Sequence, residues 1–394
     1  MPKYPVHPDI RLTDGAFYAA DAHRHFEWMR AHAPVYWDDA AQLWGITRYD
    51  DVLAVAKDPQ TFSNSSGIRP DAPAMPYMID MDDPEHKKRR RLVNKGFTVR
   101  RVQEREPRIR EICIGLIERV TAGSRFDFVK DFAAWLPLIV IGDMLGVEPA
   151  YYEQLLHWSD DLVLGSGALT LERMQRASAA FDEYVAYQRG VIADRRLHPR
   201  DDLVSVLVHA EIDGERLSDY ELLMESLLLL IGGDETTRHV LSGGMHQLLT
   251  HPEQHRALRH KPAKIPTAVE EMLRWVTPIQ NMARTATRDV ALRGETIRAG
   301  QKLLVLYPSA NRDDAVFADP FRFDVERTPN EHLAFGLGAH FCLGASLARL
   351  ELRVAFEEIL QRMPNLELTN NAPPRLRASN FICGIEELPV AVRG

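Results

Sequence analysis

One cysteine lies where a glycine-rich loop runs into a long amphipathic segment: Phe335-Gly336-Leu337-Gly338-Ala339-His340-Phe341-Cys342-Leu343-Gly344. A helix starting just past Cys342 would turn its unpaired backbone N–H groups, and the positive end of its dipole, toward the sulfur. Both favour the thiolate, which is the form that binds metals and acts as a nucleophile. Gly338 and Gly344 let the backbone turn sharply and lie close to a flat ligand. Taken alone, Cys342 also reads as a buried free cysteine at the start of a helix.

A second chemical stretch is Gly232-Gly233-Asp234-Glu235-Thr236-Thr237. Two glycines inside a helix cost about 1 kcal/mol each relative to alanine, which a helix tolerates where something approaches its backbone closely. An acid and two hydroxyls among apolar neighbours need water or partners. A kinked helix with back-bonded threonines is the structural alternative. Further along, Glu271 and Arg274 stand at i and i+3, on one helix face. By itself such a pair is ordinarily a surface ion pair of little value. The run His86-Lys87-Lys88-Arg89-Arg90-Arg91 is the densest charge cluster, and a solvated face is its ordinary reading.

The elements that must position these residues are mostly helices. Ile109, Ile112, Leu116 and Val120 predict a helix over about Glu104 to Val120. A second is expected from Arg173 to Arg195. The capping box Ser218-Asp219-Tyr220-Glu221 opens a third, continuing to about Thr250. Its middle is apolar on every side, so it belongs in the core. Thr267-Ala268-Val269-Glu270 reads as another capping box, opening a short helix through Trp275. Leu343, Leu347, Leu350 and Val354 form the inward stripe of the last helix. Strands are expected at Val35–Trp37, Leu43–Thr47, Val290–Ile297, Lys302–Leu306 and near the C-terminus. Ser63–Asp82 and Val305–Leu333, rich in Pro, Asp and Asn, read as loops. The expectation is one domain, residues 1–394, mainly α with small β-sheets.

The bulk numbers agree with a globular chain. Of 394 residues, 45% are hydrophobic and 26% charged, with 48 Lys+Arg against 56 Asp+Glu and a formal net charge of −8. That mild acidity argues against a nucleic-acid partner. Three scattered cysteines, Cys113, Cys342 and Cys383, give no disulfide framework and point to a reducing, cytoplasmic setting. No apolar run is long enough for a signal peptide or a membrane span.

The cysteine loop resembles the haem-binding loop of the cytochrome P450 family, matching it at Phe335, Gly338, His340, Cys342 and Gly344. The resemblance runs from the Trp44 region to Pro389. It implies haem b held between the long central helix and the cysteine-loop helix, with Cys342 as the iron's axial thiolate, a ligand that favours O–O cleavage. It further implies Phe335 packed near the sulfur, and His86, Arg90, Arg284 and His340 on the propionates. On the distal side, Glu235 would relay protons and Thr236 would manage them over the haem. Glu271, Arg274 and Arg322 would lock the core. The other basic residues near His86 would dock an acidic ferredoxin, served by a ferredoxin reductase and NAD(P)H.

Pocket segments follow from their distance to these motifs: Met75, Met78, Ile79, Ile231, Gly232, Val276, Ile279, Met282, Phe381 and Ile382. They are largely apolar, which suits a large hydrophobic substrate. Leu230 to Gly244, Glu271 to Trp275, Asn330 to Gly336 and Ser379 to Ile382 are similar to actinobacterial steroid side-chain hydroxylases. That narrower resemblance implies oxidation of the terminal methyl of cholesterol or cholest-4-en-3-one, to the alcohol and onward to the acid. The alternatives are another apolar substrate (a terpenoid, fatty acid or polyketide) and, in a different class, a haem-thiolate sensor without turnover.

Overall fold

The structure, a computed structural model, describes residues 4–164 and 170–393. Eight helices matter for the site: α1 (Glu85–Val93), α2 (Glu106–Thr121), α3 (Trp135–Met144), α4 (Tyr152–Leu164), α5 (Leu171–Leu197), α6 (Asp219–Thr250), α7 (Ile265–Val276) and α8 (Ala345–Arg362). The central helix α6 begins at the expected capping box: Ser218 accepts from the Glu221 N–H, and Glu221 accepts back from Ser218. It is packed against α3, α7 and α8, which explains its apolar girth.

Glycines set how closely these helices pack. A Cβ at Gly233 would meet Ile141 of α3 at 3.0 Å, and one at Gly243 would meet Val276 of α7 at 2.6 Å. A Cβ at Gly232 would meet nothing within 4 Å. The glycine pair therefore divides its work: Gly233 admits α3, and Gly232 leaves open space.

Five short strands form the main sheet: β1 (Val35–Asp38), β2 (Leu43–Ile46), β3 (Phe62–Ser63), β4 (Met282–Ala286) and β5 (Lys302–Val305), in the order β1-β2-β5-β4-β3. Strand β4 was not expected. Met282-Ala283-Arg284-Thr285-Ala286 has little β-branched character, and pairing with β5 and β3 makes it a strand. The expected strand Val290–Ile297 is instead a hairpin, turning at Arg293 and Gly294, both at positive φ. The segment read as a loop from Val305 holds one short helix, Tyr307–Ala310.

Helix α7 starts at Ile265, ahead of the expected box, with Pro266 in its first turn. Thr267 is therefore inside the helix. Glu270 is spent on tertiary partners, accepting from Arg349 at 2.7 and 2.8 Å and lying 3.1 Å from His332.

Candidate active site

The cysteine loop closes on itself before α8 begins. The Cys342 N–H donates to the Phe335 carbonyl at 2.9 Å. Gly338 has φ +74°, and a Cβ there would strike the Ala56 carbonyl at 2.3 Å, so only glycine fits. Gly344 has an ordinary φ of −83° and borders the open cavity. Burial raises the Cys342 thiol's pKa, opposed by the N–H groups of Gly344 and Ala345 and by Arg90 and Arg349. The Arg349 guanidinium lies 4.5 Å over the Phe335 ring, tying α8 to the loop.

Beside the sulfur, imidazoles and guanidiniums converge. The His86 and His340 rings are 4.0 Å apart. Burial holds His340 down to about 3, and His86, Arg284 and Arg90 push the same way. His86 Nδ1 is 3.3 Å from Asp83, while its buried Nε2 has no partner. Arg90 donates to the Phe341 carbonyl at 2.5 Å. Arg284 is buried behind them on β4 and bonds the Ala283 carbonyl at 2.8 Å. A flat group with an apolar body, two carboxylates and a metal for the thiolate answers this chemistry on each count: an unpaired buried donor, clustered cations, and apolar walls from Ile141, Val240 and Leu347.

Cys342, Phe335, His340, Gly344, His86 and Arg90 line one cavity with Gly232, Thr236, Met78, Ile79, Ile279 and Met282. Five expected pocket residues do not line it. Met75 is exposed. Ile231 packs on the core, and Val276 fills the space beside Gly243. Phe381 lies under Arg69, and Ile382 is buried, bridging the backbone of Ile279. Each expected segment does reach the cavity or a residue that does, but the periodicity of an irregular segment does not say which side chain faces in. Phe97 lines it unexpectedly, whereas Leu229 lies on the central helix near Gly232 and Pro278 lies within the expected segment from Val276 to Met282.

The acid–alcohol pair is split. Thr236 faces the cavity, its hydroxyl donating to the Gly232 carbonyl at 2.9 Å. Glu235 does not line the cavity. It is fully buried behind the helix, bonded to Arg238, to Arg377 at 2.6 Å, and 3.5 Å from His239. Burial alone would raise its pKa; Arg238 and Arg377 hold it well below the usual carboxylate range. Its neighbour Asp234 accepts from Ser159 at 2.8 Å and is pushed up to about 7 by burial. Glu351 of α8 does line the cavity, with one carboxyl oxygen unpaired.

Of the three residues expected in the core lock, two are bonded to each other through their side chains. Glu271 and Arg274 are wholly buried and joined by two bonds of 2.7 Å. Arg322 is exposed and contributes only its carbonyl, which accepts from Arg274 at 3.3 Å. The second arginine is Arg327, five residues on, donating to Glu271 at 3.1 Å. The basic run is also less free than it reads. Arg89 turns inward to Glu221 and Glu225, Lys88 pairs with Glu215 and Arg91 with Asp213, while Lys87 is exposed.

A family profile described as Cytochrome P450 matches residues 154–262 and 265–385. The chain belongs to the cytochrome P450 family. It is 51% identical over 386 residues to a steroid C26-monooxygenase of Mycobacterium tuberculosis, covering 97% of each chain. It is 49% identical over 392 residues to the steroid C26-monooxygenase of Mycolicibacterium smegmatis, covering 99% of this chain and 98% of the relative. The structure of CYP109E1 from Bacillus megaterium in complex with testosterone superposes with a TM-score of 0.88 at 34% identity, over 95% of this chain and all of that one. This P450 is thus a haem-thiolate monooxygenase of mainly α fold, which takes O2 and electrons from a redox partner. Among the described residues no helix is long and apolar enough to cross a membrane.

Proposed function

We propose that this P450 hydroxylates the terminal methyl of a sterol side chain, cholesterol or cholest-4-en-3-one, and carries the alcohol on toward the acid. The observation that carries the reading is near-half identity, along the whole chain, to two steroid C26-monooxygenases. The apolar roof of Met78, Ile79, Ile279 and Met282 supports it, since a sterol offers few polar handles. The balance is R–CH3 + O2 + 2 electrons + 2 protons to R–CH2OH + H2O. Bound haem supplies the oxygen activation.

The chain's own groups do the rest. Cys342 would ligate the metal, His86, Arg90, Arg284 and His340 would hold the carboxylates of the cofactor, and Phe335 would shield the sulfur. Thr236 passes protons at its hydroxyl. Glu235 resupplies them only when it leaves both Arg238 and Arg377, the latter partly exposed and linking it toward solvent. A ferredoxin in the cytoplasm, reduced by its NAD(P)H-dependent reductase, delivers the electrons at the face bearing Lys87. Charge reversal at Lys87 slows reduction and lessens its salt dependence; unchanged rates at every salt concentration reject that docking face.

Optical titration of the ferric protein with cholest-4-en-3-one tests the substrate. A low-spin to high-spin shift means that the sterol displaces the iron's water. A silent spectrum rejects the sterol in favour of a fatty acid or terpenoid.

A further inference from the structure

Glu225 sits on α6 among core residues, with Leu222, Leu223 and Leu227 around it, and it is fully buried. A buried carboxylate destabilises a fold unless it is paired and hydrogen-bonded. Its Oε1 accepts from the Met78 N–H at 2.8 Å and from Arg89 at 3.2 Å. Arg89, on α1, also donates to the Pro76 carbonyl at 3.2 Å and to Glu221. One ion pair across two helices thus grips the backbone from Pro76 to Met78. The far side of the segment is pinned as well. Asn64 donates to the Ile79 carbonyl at 2.8 Å, and Asp80 accepts from the N–H groups of Ile68 and Met75 at 2.9 and 2.8 Å. Between the two anchors stand Met78 and Ile79, whose side chains line the cavity.

We propose that Glu225 is a positioning residue for specificity: through Arg89 and the Met78 amide it fixes the height of Met78 and Ile79 over the cavity, and so decides which substrate carbon is presented for oxidation. Glu225 does not line the cavity, so it acts through the two residues that do. A terminal methyl has stronger C–H bonds than the methylenes behind it. Terminal oxidation therefore needs a roof that keeps the chain from sliding, and a slackened roof moves oxidation inward. Burial pushes the carboxyl up to about 7 against the pull of Arg89 and the Met78 amide, which marks a group held there at a cost. The inference rests on the family's monooxygenase chemistry and not on the sterol reading, because any apolar chain reports it.

The test uses the haem-loaded, full-length protein as wild type, Glu225→Leu, Glu225→Gln and Arg89→Met. Two quantities are measured: backbone hydrogen exchange, and the ratio of terminal to internal alcohol from cholest-4-en-3-one and from a saturated fatty acid. Glu225→Leu and Arg89→Met are expected to speed exchange at Met78 by about tenfold or more while α3 and α7 stay protected. The product ratio falls by about tenfold on whichever substrate turns over. Glu225→Gln, whose amide oxygen still accepts from Met78, restores most of both. Faster exchange with an unchanged ratio overturns the proposal, as does unchanged exchange at Met78. Exchange accelerated across α3 and α7 also overturns it, since Glu225 would then be mere core. If Glu225→Leu does not take up haem, Arg89→Met decides by the same two readouts.

Discussion

The thiolate wall of the cavity, from Phe335 to Gly344, is one unbroken loop, whereas the roof gathers Met78 and Ile79, Gly232 and Thr236, and Ile279 and Met282 from three segments far apart in the chain. Much of the loop is held by its own backbone, Cys342 to the Phe335 carbonyl and the N–H groups of Gly344 and Ala345 at the sulfur, with Arg90 added at the Phe341 carbonyl. The roof is held by side chains from elsewhere, Glu225 and Arg89 on one side and Asn64 on the other. A wall built by local geometry tolerates little variation, because each residue's place is set by its neighbours in the same loop. A roof built by distant contacts can be re-aimed by a single substitution. That difference matches a family with one chemistry and many substrates.

Predictions follow from opposing the two constructions. The largest effect is expected at the loop. Cys342→Ser loses the thiolate signature of the reduced, CO-bound protein and all monooxygenase turnover, and retained turnover would break the assignment. Next, removing one partner of the buried lock leaves an unpaired charge. Arg274→Ala should cost about 3–5 kcal/mol of unfolding free energy, while Arg322→Ala, exposed, should stay within about 0.5 kcal/mol. Denaturant titration of both separates the pair, and equal costs would contradict the placement of Arg327 in the lock. Thr236→Ala should leave stability nearly unchanged but waste electrons as peroxide, lowering product per NADH by about tenfold or more. The smallest effect is a pH dependence at the roof. The Glu225 carboxyl is raised from 4.5 to about 7 in the fold, so its share of stability is full below pH 4.5 and lost as pH rises through 7. Thermal unfolding of Glu225→Gln should therefore fall less steeply across that window than wild type. An identical slope would place the titration elsewhere.

How far the site is legible follows the same division. Cys342 and Thr236 line one cavity and Glu271 bonds Arg274 within one helix, because each motif is short and its geometry local. Arg322 was expected in the lock from the family resemblance, yet the loop brings Arg327 onto Glu271 instead. Glu235 reads as a cavity acid from its place beside Thr236. One residue along a helix is a rotation of about 100°, and that turns its carboxylate to Arg238 and Arg377. Glu225 left a signal that went unread: a lone acid in a run of leucines.

The sequence by itself determined the cysteine loop and the capped central helix with its two glycines, the motifs whose family resemblance implied the haem-thiolate chemistry and the Glu271–Arg274 lock. These are properties of nearby atoms, set by backbone conformation, helix dipoles and hydrophobic period. Only the tertiary structure decided which apolar side chains face the cavity, which arginine completes the core lock, and that Glu235 is sequestered while Glu225 grips the roof. Those outcomes depend on which helix comes to lie against which, and a buried charge goes wherever the fold brings its counter-charge within reach.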